Sequence, residues 1–224
     1  MKAGPLAIAS GILFATNVAA ADALTVTPDA NDAAAQPIVH ERRGGLVVGA
    51  AGGFGLAGAS GYPNNARFFD NPDYFSETPL LVGWSASAFV MLALTDWVSI
   101  GPTFTMSDAD TSQWKSTAWG GGFRSEFFPL IRVVPSLADL GVYGQLGVGL
   151  VNLEARGPYP TSDGSQTFVG AGVHHEWRVV NVFGAHASAG PYVEYDAVLS
   201  QPSERHWLSF GLRVAFYSSG NKAD

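Results

Sequence analysis

From Leu208 to Phe216 the chain alternates. Leu208, Phe210, Leu212, Val214 and Phe216 are large and apolar, and Ser209, Gly211, Arg213 and Ala215 between them are small or polar. A period of two places the two sets on opposite faces of an extended strand, whereas a helix would scatter them. The same pattern runs through Val98–Ser107, Leu140–Leu150, Trp119–Phe127, Val169–Arg178, Phe183–Tyr195 and Leu80–Leu92. A segment from Gly44 to Ala57 is rich in Gly and Ala and alternates least clearly. Eight strands are therefore predicted, near 44–57, 80–94, 97–107, 116–128, 139–153, 166–178, 182–196 and 206–217. Most reach the ~9–11 residues that a tilted strand needs to cross a bilayer.

The connections alternate as well. Those at 58–79, 108–115, 154–165 and 197–205 are long and polar, and those at 95–96 and 179–181 are short. The segment 129–138 is longer than this rule expects. Long loops at one end and short turns at the other describe an all-β, eight-stranded, antiparallel, up-and-down transmembrane β-barrel. An even strand number puts both termini at the short-turn end. A ten-strand register stays open.

Two other architectures compete. Residues 78–95 carry no charge and are long enough for a spanning helix. On helices, however, Arg124, Glu126, Glu176, Arg178, Glu194 and Arg213 would fall at mixed angles, some facing lipid at a cost of several kcal/mol each. On strands all of them fall opposite the apolar series. A soluble barrel would keep the same alternation with its faces exchanged. Against it stand the wide Trp/Phe/Leu face and a mature chain whose lysines are Lys115 and Lys222, since a soluble surface carries far more charge.

Composition agrees with a membrane barrel. Charged residues are 14% of the 224, hydrophobic residues 47%, and there are 27 glycines and no cysteine. Disulfide scaffolds, thiolate chemistry and Cys-ligated metals are excluded. A net charge of −7 without basic clusters makes a poor nucleic-acid binder. Residues 1–21 read as a secretory signal peptide: Lys2, an apolar run from Pro5 to Val18, then Ala19-Ala20-Ala21. Residues 22–43 read as a flexible periplasmic tail and 218–224 as a short C-terminal tail, with the barrel over 44–217.

Ser209, Gly211, Val214 and Phe216 carry a resemblance. Their spacing resembles the C-terminal targeting signal of bacterial outer-membrane barrels, although here Tyr217 to Asp224 follow the aromatic. The resemblance implies recognition by the barrel-assembly machinery. The eight-strand plan is similar to the small OmpA/OmpX-type and OmpW-type barrels. It implies an outer-membrane location, outer-membrane lipid as a partner, periplasmic termini and extracellular long loops.

Eight strands enclose a space just wide enough for side chains. A filled lumen is expected, with a charge network of Arg124, Glu126, His174, Glu176, Arg178, His186 and Arg213 in the half nearer the termini. Charges in a dry lumen must pair, so Glu126 and Glu176 are expected to be shared among Arg124, Arg178 and Arg213. The function expected is structural or surface interaction, with an unidentified surface ligand; the alternative is a narrow porin-like passage for ions or small solutes. No enzyme activity is expected. His186, Ser188 and Glu194 share one face and resemble the letters of lipid-A deacylases, but read as inward rather than lipid-facing. No cofactor or metal is expected, because His174 and His175 point to opposite faces. Tyr62, Phe68, Phe69, Tyr74 and Phe75 in the first loop suit rim packing or recognition. Trp84, Trp119 and Tyr195, with Phe127, Trp177, Phe183 and Phe216, suit two aromatic girdles.

Overall fold

The computed structural model describes residues 43–218, apart from 64, 66, 158, 159, 183 and 184. The expected signal 1–21, the tail up to residue 42, residues 219–224 and the girdle residue Phe183 lie outside the described residues. Ten strands form: β1 (Gly45–Gly61), β2 (Ser76–Glu77), β3 (Leu81–Thr95), β4 (Val98–Asp110), β5 (Trp114–Phe127), β6 (Leu140–Ala155), β7 (Ser162–His175), β8 (Trp177–Val182), β9 (Ala185–Leu199) and β10 (Ser203–Tyr217). β2 is a two-residue addition to β1. β7 and β8 both pair with β9 and form one stave broken at Glu176. The wall therefore has eight staves, every neighbouring pair antiparallel, and β1 pairs with β10 from Val47–Tyr217 to Gly61–Ser203 to close it. Closure leaves the barrel wall itself without an edge.

The register sets the shape. Following paired residues from Val98 through Phe127, Val142, Val173, Val193, Phe210, Phe54 and Trp84 returns to β4 at Asp108, ten residues along. Eight strands with a shear of ten tilt by about 40° and close at a radius of about 8 Å, given ~3.3 Å per residue and ~4.8 Å between strands. At that radius inward side chains from opposite walls meet.

Their alternation decides which face is which. Phe54 and Leu212 are each 68% exposed, whereas Arg124 and Arg205 are 0% exposed. The large apolar series therefore faces outward and the charged series inward. The exposed apolar belt runs from Trp97 and Phe216 up to Val82 and Leu150, roughly 25–30 Å along the axis at this tilt, the height of a transmembrane barrel's apolar band. Trp84, Trp119 and Tyr195 stand in its upper part, and Trp97, Phe127, Trp177 and Phe216 at its lower margin.

Three of the expected long loops are shorter than their polarity suggests. β4 runs to Asp110 and β5 starts at Trp114; β6 runs to Ala155 and β7 starts at Ser162; β9 runs to Leu199 and β10 starts at Ser203. Hydrophobic alternation stops where the belt stops, while the backbone ladder continues past it. Side-chain hydroxyls close the tight turns. Thr111 Oγ1 accepts from the amides of Gln113 and Trp114 at 3.4 and 3.1 Å, and Ser200 Oγ accepts from the Ser203 amide at 3.1 Å. At the opposite end Thr95 Oγ1 does the same for Trp97 and Val98. That end also carries Arg43 and Ser218, where the Ser218 amide donates to the Leu46 carbonyl at 2.8 Å. We call it the terminal end and the other the far end.

The connection 62–80 is long, as expected. Its aromatics pack on one another, Tyr62 with Phe69 and Phe75 at centroid distances of 5.4 and 5.1 Å, and Phe68 with Tyr74 at 4.2 Å. Ser162 Oγ donates to the Tyr62 carbonyl and Ser76 Oγ to that of Pro160, so this connection is tied to the β6–β7 turn.

Candidate functional site: the lumen

Three layers fill the barrel. Nearest the terminal end, Arg213 of β10 reaches Glu126 of β5, its Nη2 donating to both carboxylate oxygens at 2.8 and 2.9 Å. Its Nη1 forms an ion pair with Glu176. Tyr217 donates its hydroxyl proton to Glu176 at 2.7 Å, and His174 Nε2 stands 3.7 Å from the same carboxylate. The Phe89 ring lies beneath the guanidinium groups of Arg213 and Arg124, at 4.5 and 5.2 Å. Below this layer Val47, Met91, Ala215 and Tyr217 pack together. Arg43 covers Phe128 and pairs with Asp139 at 2.6 Å.

The middle layer centres on Arg124. Its Nη2 donates to Glu194 at 3.0 Å, and its Nε and Nη2 donate to Gln145 Oε1 at 3.1 and 2.9 Å. Tyr143 donates to Glu194 at 2.5 Å, and Gln145 Nε2 donates to Glu194 at 3.1 Å and to Asp196 at 2.5 Å. Arg124 Nη1 lies 3.8 Å from Glu126, which joins this layer to the one below. The pairs cross the barrel, from β5 and β6 to β9 and β10. Gly170 of β7 makes room for them: a Cβ there would overlap Asp196 Oδ1 and the Gln145 side chain.

Toward the far end the lumen turns apolar. Ala57, Leu81, Trp114, Ala118, Val151, Leu153, Phe168, Val198 and Trp207 form one buried cluster, with Phe168 and Trp207 stacked at 6.1 Å. Arg205 is enclosed within it. Its Nη1 donates to Ser107 Oγ at 2.5 Å and its Nη2 to the Ser116 carbonyl at 3.3 Å. This cluster starts within the upper belt, where Phe168 lies against Gly120 and Gly149, and continues into the part of the strands that extends past it.

Of the seven residues expected in the charge network, Arg124, Glu126, His174, Glu176 and Arg213 meet there. Arg178 does not: it is exposed. Beyond His175 the stave has no β6 partner, β8 continues as a hairpin arm with β9, and the register shifts between Arg178 and Val180. Inward parity ends where the wall ends. His186 stands on the same arm, half-buried, with its ring stacked on Tyr217 at 4.8 Å. Glu194, eight positions farther along β9 and about 26 Å away at strand rise, is committed to Arg124 and Tyr143. His186, Ser188 and Glu194 thus form no catalytic group. His174 is buried edge-on to Phe128 at 5.5 Å, while His175 packs on Trp177 at 5.0 Å. Among the described residues no group of three His, Asp or Glu could hold a metal ion.

Sequence reading turned Glu194 inward but left it, with Asp196 and Arg205, out of the network, and it did not place Gln145, Tyr143, Tyr217 or Arg43 there. Parity contained part of the signal. Asp196 has the parity of Glu194, and Arg205 continues the inward series Arg213, Gly211, Ser209 and Trp207. The members of the C-terminal pattern divide by the same rule. Val214 and Phe216 face outward, Ser209 is buried inside, and a Cβ on Gly211 would overlap the Gly52 carbonyl.

Fold, belt and filled lumen together define the class: a small eight-stranded transmembrane β-barrel of the outer-membrane kind. No protein-family model and no curated protein matches the chain. Among solved structures it is similar to Ail, the attachment invasion locus protein of Yersinia pestis, at 11% identity over 75% of this chain and 99% of that one, with a TM-score of 0.42. It is similar to Neisserial surface protein A at 11% identity, 75% and 96% coverage and a TM-score of 0.43. It is also similar to the outer membrane protein OprG of Pseudomonas aeruginosa at 9% identity, 78% and 97% coverage and a TM-score of 0.36.

Proposed function

We propose that this protein is a closed outer-membrane barrel whose role is structural or surface interaction, with its termini in the periplasm and its far end at the cell surface. The observation that supports this reading is the double closure of the lumen. Cross-barrel ion pairs occupy the terminal half, and an apolar core around Arg205 occupies the far half, so side chains fill the lumen at both levels and most of its fixed charges are paired. A buried ion pair makes a poor ion path, because each charge is already compensated. The outward belt takes outer-membrane lipid as its partner. The β10 residues Ser209, Gly211, Val214 and Phe216 serve as the signal for the barrel-assembly machinery. With the lumen filled, interaction falls to the far-end rim and the connection 62–80.

Reconstitution in planar bilayers tests closure. Silence at all voltages is expected. Discrete conductance steps that change in the Arg213→Ala chain would establish a narrow passage instead.

A further inference from the structure

Asp196 of β9 stands where the charged part of the lumen meets the apolar part. Its partners in the wall are Gly170 of β7 and Trp207 of β10, and Val198, the next inward residue of β9, belongs to the apolar cluster with Phe168. The side chain is fully buried. Its Oδ1 accepts from Gln145 Nε2 at 2.5 Å, and the same nitrogen donates to Glu194 Oε1 at 3.1 Å. One amide nitrogen therefore holds both carboxyl groups, which come within hydrogen-bond reach of each other. Asp196 Oδ2 has no hydrogen-bond partner among the described residues.

The surrounding charges do not compensate two carboxylates. Arg124 of β5 donates to Glu194 at 3.0 Å and lies 3.8 Å from Glu126, so it is already shared. Tyr143 of β6 also donates to Glu194, and Tyr192 of β9 shares a hydrogen bond with Ser85 of β3. Arg205 of β10 turns to Ser107 and Ser116. His174 of β7 and Arg213 of β10 stand a layer nearer the terminal end, at Glu176. The inward positions of β1, β3 and β4 carry no charged side chain. Among the described residues no cation pairs with Asp196. Two ionised carboxylates in one dry site repel, and a charge buried without a partner is replaced by its neutral form. A hydrogen bond between two carboxyl groups itself requires a proton.

We propose that the Glu194–Asp196 pair is a proton-binding site: the lumen takes up one proton from solvent as the chain folds and holds it on Asp196, which donates it to Glu194. Glu194, fixed by Arg124 and Tyr143, remains the carboxylate. At neutral pH the folded chain then keeps a proton that an unfolded aspartate releases above about pH 4. Raising the pH therefore favours unfolding, from about pH 5 up to the pH at which the folded pair lets the proton go. The test uses the full chain, folded in a detergent without ester groups, with isotopically labelled aspartate. Infrared spectra at neutral pH are expected to show a protonated-carboxyl band that moves on labelling. Asp196 is the buried aspartate among the described residues, so the labelled parent decides the question without any variant. Asp196→Asn has the shape of the protonated acid, with an oxygen for Gln145 and an N–H for Glu194. It is expected to keep the heat-modifiable gel migration of a folded barrel and to lose the band. In urea unfolding between about pH 5 and 7, the ratio of the parent's unfolding constant to the variant's is expected to rise about ten-fold per pH unit, the slope of one proton. Absence of the acid band overturns the proposal. A ratio that stays constant with pH also overturns it, and a constant ratio with stability that depends on sodium concentration would assign the site to a metal cation instead.

Discussion

Arg213 is 1% exposed and donates to both oxygens of Glu126 at 2.8 and 2.9 Å while pairing with Glu176. Replacing it with Met keeps an unbranched side chain of similar reach and removes the charge. Glu126 then retains Arg124 at 3.8 Å, and Glu176 retains the Tyr217 hydroxyl at 2.7 Å. Two buried carboxylates are left with one weak cation between them. Breaking a buried pair from one side costs about 3–5 kcal/mol, because the partner remains desolvated. That shifts the unfolding equilibrium by about two to four orders of magnitude. Urea unfolding of Arg213→Met in lipid vesicles, followed by gel migration and Trp fluorescence, measures it directly. Adding Glu126→Gln and Glu176→Gln removes the stranded charges and is expected to recover more than half of the loss. A cost below about 1 kcal/mol for Arg213→Met, comparable to an exposed pair, would show that water reaches the network, and the closure argued from it would fail.

Arg205 makes the contrasting case. Its hydrogen bonds go to Ser107 and Ser116 oxygens within an apolar cluster, and a buried charge replaced by a packed apolar chain is often neutral or stabilising. Arg205→Met is expected to leave vesicle stability within about 1 kcal/mol of the parent or raise it, by the same urea assay. On the outside, Leu212→Arg sits near mid-belt and is expected to cost about 2–4 kcal/mol, whereas Glu154→Arg beyond the belt, which only sets a like charge opposite Lys115, is expected to cost less than about 1 kcal/mol. Equal effects at the two positions would remove the membrane assignment. Gly170→Val would overlap Asp196 and Gln145; it is expected to cost at least as much as an overpacked core, about 1–3 kcal/mol, and more than Gly58→Leu, where a Cβ meets no atom within 4 Å, in the same measurement.

The sequence by itself predicted eight crossings and which face of each strand turns inward, while the number of staves, left open at eight or ten, was decided by closure. A strand allows two faces, and in Leu208–Phe216 and its counterparts one face is too apolar for water and the other too ionic for lipid. Period-two reading therefore placed Arg124, Glu126, His174, Glu176 and Arg213 inside without any coordinates. It failed where that contrast fades. Past the belt both faces meet water or a private core, so polarity at 108–115 and 197–205 resembled loop while the ladder continued. At Arg178 the neighbouring stave had ended, and parity without a wall has no inside. Only the tertiary structure decided which charges meet. Pairing across the lumen depends on the shear that brings Val98 round to Asp108, a property of closure shared by all eight staves and written in none of them singly. The same closure set Glu194 against Arg124 and buried Arg205 over the Trp207 ring.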